Sequence, residues 1–279
     1  MDRITTEDRR AFMGHLRQEE CARGTVEKYL RDLGGFARWL NGGPVTKEAV
    51  AAWKEHLFQQ QYAPTTINSM LAAVNRFLDF MGWGAYRVKF LKLQRRLFRD
   101  ARRELSRAEY ARLLDTAQRQ GRARLALLME TICATGIRVS ELQYITLEAV
   151  RLGRAEIALK GKIRTILLPG KLCRKLRKYA RAEKIASGEL FLTRSGTPIH
   201  RRQVWAEMKR LCAKAGVEPG KVFPHNLRHL FATAFYQHCK DLARLADVLG
   251  HTSVDTTRVY LLTTGGEHRQ ALERLGLVT

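Results

Sequence analysis

The first 86 residues carry apolar side chains at three- and four-residue spacing, which is the pattern of amphipathic helices. The longest run starts at Thr25 and ends before Gly42, and another follows Pro64, a residue that suits a first helical position. Shorter runs surround Phe12 and Trp53. The sequence therefore predicts a bundle of four helices over residues 1–86.

The pattern breaks at residues 87–105, where no amphipathic period remains. Six basic side chains between Lys92 and Arg103 face a single aspartate, so we interpret the stretch as a basic interdomain linker that lies against a polyanion. Ser106 and Glu109 then form a capping box, the sequence signal of a helix start. A second domain is therefore predicted over residues 106–279.

The second domain combines helices with one hairpin. An apolar run ended by Gly136 predicts a buried helix, and a basic helix is expected from Leu172 to about residue 186. Two short apolar runs that flank residues 160–162 predict a β-hairpin. The remaining predictions are a strand at 190–193 and helices at about 201–215, 225–238, 241–249, 254–262 and 267–275. The expected fold class is mainly α, with a small antiparallel β-sheet in the second domain.

Charge is the first indication of a partner. The chain carries 50 Lys and Arg residues against 27 Asp and Glu residues, a net charge of +23. Residues 87–124 and 151–184 carry net charges of +9 and +10, whereas residues 1–86 carry +1. Such concentrated positive charge favours a nucleic acid as partner. The alternative is a solvated basic face without a partner.

Cysteine usage and hydropathy indicate the compartment. The five cysteines are scattered and form no C-x-x-C pair, which indicates reduced thiols and argues against a cysteine zinc knuckle. The sequence has no run of about 18 apolar residues and no signal-peptide pattern. We therefore expect a cytoplasmic protein without a membrane partner.

Four segments carry side chains that suit phosphoryl transfer. They are ATGIRVSEL with Arg138 and Glu141, LKGKIR with Lys160 and Lys162, PHNLRH with His225 and Arg228, and LGHTSVDTTRVYL with His251 and Tyr260. Each segment alone has an ordinary explanation, such as a helix-end arginine or a solvated turn lysine. His225 and His229 even imitate a zinc-binding helix. However, Asn226 stands where a metalloprotease has glutamate, and Arg228 opposes a metal ion.

Together these side chains supply what phosphoryl transfer needs without a metal. Arginine forks bind the non-bridging oxygens, on which negative charge develops in the transition state. A phenol is a nucleophile once a base or water takes its proton, and a lysine with a lowered pKa can protonate the departing alkoxide. A metal-dependent nuclease would instead need acidic clusters that the sequence lacks.

The boxes ATGIRVSEL, PHNLRHLFAT and LGHTSVDTTRVY resemble those of the tyrosine recombinases of the lambda-integrase and Xer type. The order Arg, Lys, His-x-x-Arg, His, Tyr matches that family, and Tyr260 lies nine residues after His251. The resemblance covers residues 106–265 in detail and the N-terminal bundle in general character. It implies a SAM-like helical bundle followed by an integrase-type catalytic domain.

This resemblance implies a role for each catalytic residue. Arg138 and Arg228 would hold the scissile phosphate, and His251 would hydrogen-bond to the same group. His225 would assist proton removal from Tyr260. The tyrosine would attack phosphorus and leave a 3′-phosphotyrosyl enzyme with a free 5′-hydroxyl.

Two assignments concern supporting groups. Glu141 would orient the neighbouring catalytic groups. The general acid would be Lys160 or Lys162, because the hairpin is one residue tighter before Arg164 than the family pattern. That spacing favours Lys160, and the register of the hairpin decides between them.

The resemblance also implies partners and cofactors. The phosphotyrosine conserves the bond energy, so ATP and Mg²⁺ are not required, and no cofactor or metal is expected. Four protomers would assemble on double-stranded DNA with a specific recombination site and exchange strands through a Holliday junction. The role would be integration or excision of a mobile element, or chromosome dimer resolution. The C-terminal helix with Leu272, Leu275 and Leu277 would dock onto a neighbouring protomer or pack against its own domain.

Base contacts and rival functions remain open. Candidate DNA-binding side chains are Lys92, Arg95, Arg96, Arg99, Arg201, Arg202, Lys209 and Arg210, together with residues 65–76 of the bundle. Contact with phosphates alone is an equal alternative for them. One rival is a type IB topoisomerase, against which the N-terminal bundle and the leucine-bearing tail argue. The other is a catalytically silent DNA-binding accessory protein, against which the complete residue set argues.

Overall fold

The computed structural model describes residues 2–93, 103–159, 162–193, 195–251, 253–261, 269 and 273–275, and for residues 159, 162 and 261 it describes the backbone only. The chain divides into two compact units, Met1–Arg95 and Arg96–Thr279. That division falls inside the stretch expected to be a linker. Each unit encloses its own hydrophobic core.

Helices build the first unit. They are α1 (Thr6–Gln18), α2 (Arg23–Leu40), α3 (Lys47–Gln59) and α4 (Pro64–Phe80). Their apolar stripes meet around Phe12, Leu33, Trp53 and Phe77, none of which is more than 2% exposed. The predicted helical bundle is therefore confirmed, with Pro64 in the first turn of α4.

An extended segment runs along α4 after the bundle. Asn75 exchanges two hydrogen bonds with the backbone of Val88, and Asn68 does the same with Leu91. The two asparagines lie about two helical turns apart and so share one face of α4. They hold the segment as a neighbouring strand would, and its residues Val88 and Leu91 pack against the core of the first unit.

The second unit arranges helices and a hairpin around a larger core. Its helices are α5 (Arg107–Arg119), α6 (Ala123–Thr135), α7 (Leu147–Leu152), α8 (Gly170–Ala182), α9 (Arg201–Lys209), α10 (Cys212–Ala215), α11 (Pro224–Cys239) and α12 (Leu242–Leu249). Its described 3-10 helices are Val139–Tyr144, Pro219–Lys221, Val254–Thr256 and Arg258–Leu261. The predicted capping box opens α5, since Ser106 and Glu109 each accept from the other's backbone N–H. Helix α6 is apolar on most of its surface and packs against α5, α8 and α11.

The hairpin consists of β1 (Arg154–Leu159) and β2 (Lys162–Leu167), paired antiparallel with Leu159 opposite Lys162. Its connection is therefore the pair at positions 160 and 161, which lies outside the described residues. These strands make up the only sheet within the described ranges. The predicted fold class, mainly α with a small antiparallel sheet, is confirmed.

The strand predicted at 190–193 is absent. Leu192 makes only an isolated bridge with Pro198. The bridge consists of two hydrogen bonds, from the Thr193 N–H to the Thr197 carbonyl and from the Ile199 N–H to the Phe191 carbonyl, and among the described residues no further pair extends it into a ladder.

Two predicted helices also differ. The helix expected at 201–215 is interrupted, since α9 ends at Lys209 and α10 starts at Cys212. Residues 254–261 form two short 3-10 helices instead of an α-helix. There the Ser253 hydroxyl accepts from the N–H of Asp255, and Thr256 donates to the Ser253 carbonyl. Such local bonds compete with helical ones.

Of the helix predicted at 267–275, the structure describes only residues 269 and 273–275, and Leu272 and Leu277 lie outside the described residues. None of the helices in the described ranges combines the length and the apolar character needed to cross a membrane.

Candidate active site

The predicted catalytic arginines, histidines and tyrosine come from three segments of the second unit, which are the end of α6, the start of α11 and the residues after α12. Arg138 follows the end of α6, where Gly136 adopts a left-handed conformation with φ of 68°. A Cβ at Gly136 would lie 2.4 Å from the ring of Phe231 on α11, so only glycine allows this close approach. The end of α6 therefore lies directly against the helix that carries His225 and Arg228.

Arg138 is held by a buried carboxylate. Its Nη1 lies 2.9 Å from Oε1 of Glu141, and its backbone N–H donates to Oε2 at 2.7 Å. Arg164 of β2 donates to the same Oε2 at 2.5 Å. Glu141 is 1% exposed, whereas the Arg138 side chain remains 43% exposed. Glu141 therefore orients Arg138 without removing it from solvent.

Arg228 is buried and donates to backbone carbonyls. Its Nη1 lies 2.5 Å from the Gly136 carbonyl, and its Nη2 lies 2.8 Å from the Leu249 carbonyl. Burial, followed by the positive charges of Arg138 and Arg164, lowers the pKa of Arg228 to about 10. Its further partner is Nε2 of His251, and among the described residues no carboxylate lies within ion-pair distance of this guanidinium.

His251 lies just beyond α12. Its Nε2 lies 3.1 Å from Nη2 of Arg228, and its Nδ1 lies 2.7 Å from the Thr257 hydroxyl. Burial and the nearby charges of Arg228, Arg138 and Arg164 lower the pKa of His251 to about 4. The imidazole is therefore neutral at neutral pH.

Tyr260 packs between two histidines. Its ring is nearly parallel to that of His251, at 6.2 Å between centroids, and meets the edge of His229 at 4.9 Å. The residue is 6% exposed and belongs to a small core formed by α11 and α12. The Tyr260 oxygen lies close enough to Arg228 for a negative charge on that oxygen to raise the pKa of the arginine.

His225 opens α11 beside the arginines. Desolvation of its ring, followed by the charges of Arg228, Arg201 and Arg138, lowers its pKa. A cavity of about 430 Å³ adjoins the ring and is lined by Arg201, Arg202, Trp205, Phe223, Pro224 and His225. The start of α9 therefore contributes positive charge to the edge of the site.

The structure describes the two candidate lysines and the remaining basic candidates only in part. Lys160 lies outside the described residues, and Lys162 is the first residue of β2, described in its backbone only. Lys92 and Arg210 are exposed, whereas Lys209 bonds to the Pro219 carbonyl and lies 5.4 Å from the Trp205 ring centroid. Arg95, Arg96 and Arg99 fall outside the described residues.

Sequence reasoning missed three side chains that contact this cluster. Arg164 bonds to Glu141, Thr257 bonds to His251, and His229 contacts the Tyr260 ring. Signals existed for Arg164, since a charged residue interrupts the apolar alternation of the hairpin, and for His229, which lies one helical turn from His225. His229 lies 4.0 Å from Glu104. Within the described residues, no group of three or more His, Cys, Asp or Glu side chains could hold a metal ion.

Comparisons with known proteins match both units. Residues 103–264 match the Phage integrase family, and residues 9–85 match the phage integrase N-terminal SAM-like domain. The chain is 30% identical to tyrosine recombinase XerD of Xanthomonas axonopodis pv. citri, with 92% of each chain covered. It is 29% identical to tyrosine recombinase XerA of Thermococcus kodakarensis, with 96% of this chain and 94% of the relative covered.

Solved structures share the fold. A lambda integrase (75–356) dimer bound to a COC′ core site aligns with a TM-score of 0.73 at 16% identity, covering 92% of this chain and 94% of that one. The XerH recombinase bound to difH in a pre-cleavage complex aligns with a TM-score of 0.69 at 20% identity, covering 91% and 79%. Family match, curated relatives and fold agree. The chain therefore belongs to the phage integrase family and is a tyrosine recombinase, an enzyme of site-specific DNA recombination.

Proposed function

We propose that the clustered side chains of the second unit cleave and rejoin DNA through a covalent bond between Tyr260 and a 3′-phosphate. The observation that carries this proposal is Arg228, which is 2% exposed and has no carboxylate within ion-pair distance among the described residues. Burying an unpaired charge is costly. An incoming phosphodiester would supply the missing anion next to the Tyr260 phenol.

In the first step the Tyr260 oxygen attacks phosphorus, and the bond from phosphorus to the 5′-oxygen breaks. The phenolic proton passes to His225, whose lowered pKa keeps the ring unprotonated at neutral pH. The departing 5′-oxygen takes a proton from Lys160, with Lys162 as the alternative donor. The products are a 3′-phosphotyrosine and a free 5′-hydroxyl.

Fixed cations stabilise the transition state. Negative charge grows on the non-bridging oxygens as the phenol attacks, and Arg138 and Arg228 supply preorganised donors for it. An arginine fork also fits two phosphate oxygens at once. His251 would approach the same oxygens beside Arg228, from which it lies 3.1 Å.

Rejoining reverses these steps with another strand. The 5′-hydroxyl of a partner strand attacks the phosphotyrosine, and Tyr260 recovers its proton. One phosphoester is exchanged for another, so the reaction needs neither ATP nor a metal ion. A lambda integrase tetramer on a Holliday junction is among the solved structures that share this fold, which supports four copies of this chain acting on two recombination sites.

The remaining parts of the chain would bind the duplex. In this proposal, residues 1–86 bind DNA beside the cleavage point. Residues 87–105 join the two units and lie along the DNA backbone, and residues 106–279 catalyse strand cleavage and rejoining. The net charge of +9 over residues 87–124 supports this division. The five free cysteines support action in the reducing cytoplasm, where chromosomal DNA is accessible.

The test is to capture the covalent intermediate and map its position. The full chain is incubated with nicked duplexes that tile the DNA flanking its coding sequence. When a nick lies near the cleavage point, the short fragment that carries the free 5′-hydroxyl diffuses away, so the covalent intermediate cannot rejoin. A protein–DNA adduct whose 3′-ends map to one sequence is the expected result. Absence of any adduct would contradict the proposal, and relaxation of plasmids without that sequence would favour a topoisomerase. Integration or excision of a mobile element is then distinguished from dimer resolution by whether the mapped site borders such an element.

A further inference from the structure

Arg164 is a charged side chain on the buried face of the hairpin. It pairs with Ile157, and its neighbours on that face, Ala155, Ile157 and Ile166, are at most 3% exposed. The Arg164 side chain itself is 16% exposed. Strand alternation favours an apolar residue at such a position, so this guanidinium must find partners inside the protein.

The first partner is the carboxylate that holds Arg138. Arg164 Nη2 lies 2.5 Å from Oε2 of Glu141, and Arg138 Nη1 lies 2.9 Å from Oε1. If Arg164 were absent, Glu141 would neutralise Arg138. With two guanidiniums on one carboxylate, the trio keeps one net positive charge. Arg138 therefore retains its attraction for an anion although it is ion-paired.

The second partner is the end of α12. Arg164 Nη1 donates to the Val248 carbonyl at 2.9 Å, a group that lacks a helical partner at this position. The arginine also crosses Gly250 closely, because a Cβ there would lie 2.6 Å from its Cδ. Arg228 of α11 donates to the carbonyl of Leu249, the residue between Val248 and Gly250, at 2.8 Å. Two arginines from different segments thus fix the backbone that leads into His251.

We propose that Arg164 is a positioning residue for strand cleavage, which keeps Arg138 electrostatically available to the scissile phosphate and fixes the loop that carries His251. The inference rests on the proposed cleavage through Tyr260. It assigns to the hairpin a role besides carrying a lysine, since its buried face sets the charge and the position of groups on two other segments.

The test compares Arg164→Met with Arg124→Met, a matched control in the same unit. Arg124 also binds one carboxylate, at 2.6 Å from Glu207, and one carbonyl, at 2.5 Å from Leu192, but it contacts no residue of the site. Adduct formation is measured at saturating DNA on the mapped duplex. A second duplex carries a methylphosphonate at the scissile position, which removes the negative charge of that phosphate.

We expect Arg164→Met to slow adduct formation about 100-fold on the phosphodiester, and Arg124→Met to react at the wild-type rate. The loss in Arg164→Met should shrink on the methylphosphonate, because the charge that Arg138 serves is then absent. A uniform loss on both duplexes, or no loss at all, would overturn the inference. If the wild type itself forms no adduct, the proposed function fails instead.

Arg164→Lys covers the case in which the methionine variant does not fold. Lysine keeps the positive charge but lacks the fork that reaches Glu141 and the Val248 carbonyl together. We expect its rate of adduct formation to lie between those of the wild type and Arg164→Met. The ratio of its rates on the phosphodiester and methylphosphonate duplexes should equal that of the wild type. A folded lysine variant whose ratio shifts away from that of the wild type would contradict the charge argument.

Discussion

Nη2 of Arg228 lies 3.1 Å from Nε2 of His251, and this contact determines the tautomer of the imidazole. A guanidinium can only donate, so Nε2 is the acceptor. Nδ1 then carries the proton and donates it to the Thr257 hydroxyl at 2.7 Å. For His251 to donate to a phosphate, its proton must move to Nε2 when the phosphate replaces the ring as a partner of Arg228.

The neutral state of His251 predicts a pH dependence of stability. Its pKa in the folded protein is about 4, against about 6.5 for an ordinary histidine. Between these values the unfolded chain binds a proton that the folded site does not, so the free energy of unfolding falls as the pH falls. The lowered pKa of His225 acts in the same direction. Thermal unfolding from neutral to acidic pH measures the effect.

His251→Gln isolates this contribution from the titration of carboxylates. Glutamine does not titrate, so the variant should lose less stability than the wild type as the pH falls from about 6.5 towards about 4. Parallel curves for the two proteins would show that folding does not lower the pKa of His251.

Thr257→Val should uncouple His251 from its support. Thr257 is fully buried, and its hydroxyl is the described partner of Nδ1. Loss of that acceptor leaves a half-buried ring N–H unpaired, at a cost of about 1 kcal/mol in the free energy of unfolding. Adduct formation should also slow. Thr256→Val is the control, because the Thr256 hydroxyl is exposed and bonds to the Ser253 carbonyl; equal losses in both variants would argue against the coupling.

Gly250→Ala should impair cleavage through Arg164. Gly250 has φ of 64°, and the added Cβ would lie 2.6 Å from Cδ and 2.8 Å from Nη1 of the arginine. Gly153→Ala provides the matched control, since Gly153 has φ of 72° with nothing within 4 Å of its Cβ position. Both variants should lose about 1 kcal/mol or more through backbone strain. Only Gly250→Ala should slow adduct formation, and an equal rate for the two would refute the contact.

Lys160→Ala should abolish cleavage of an ordinary phosphodiester if Lys160 protonates the leaving 5′-oxygen. A duplex with a 5′-thiol leaving group should restore the reaction, because a thiolate departs without a proton. Lys162→Ala serves as the comparison on both duplexes. Full activity of the Lys160 variant, with loss in the Lys162 variant, would transfer the acid role to Lys162.

Local signals carried much of what the sequence could predict. Ser106 and Glu109 cap α5 because a capping box is complete within four residues, and Gly136 ends α6 because glycine tolerates a left-handed conformation. The helices of the first unit follow their apolar periods. Short-range patterns are sufficient for such features because the interacting groups are neighbours in the chain.

Features that depend on distant segments were not predictable. Arg164 meets Glu141 and the Val248 carbonyl only after the hairpin, the 3-10 helix Val139–Tyr144 and α12 have packed together. The segment expected to be a strand at 190–193 makes only an isolated bridge with Pro198, because a strand needs a partner segment that no local pattern identifies. The orientation of His251 likewise depends on Arg228, which lies on another helix.

In the proposed mechanism the Tyr260 phenol displaces a DNA alkoxide with fixed cations and no bound metal. The most direct measurement compares adduct formation by the wild type and Tyr260→Phe on the mapped nicked duplex, each with and without EDTA. We predict a wild-type adduct that EDTA does not diminish and no adduct with Tyr260→Phe. An adduct formed by the phenylalanine variant, or a wild-type adduct abolished by EDTA, would rule out this metal-independent tyrosine mechanism.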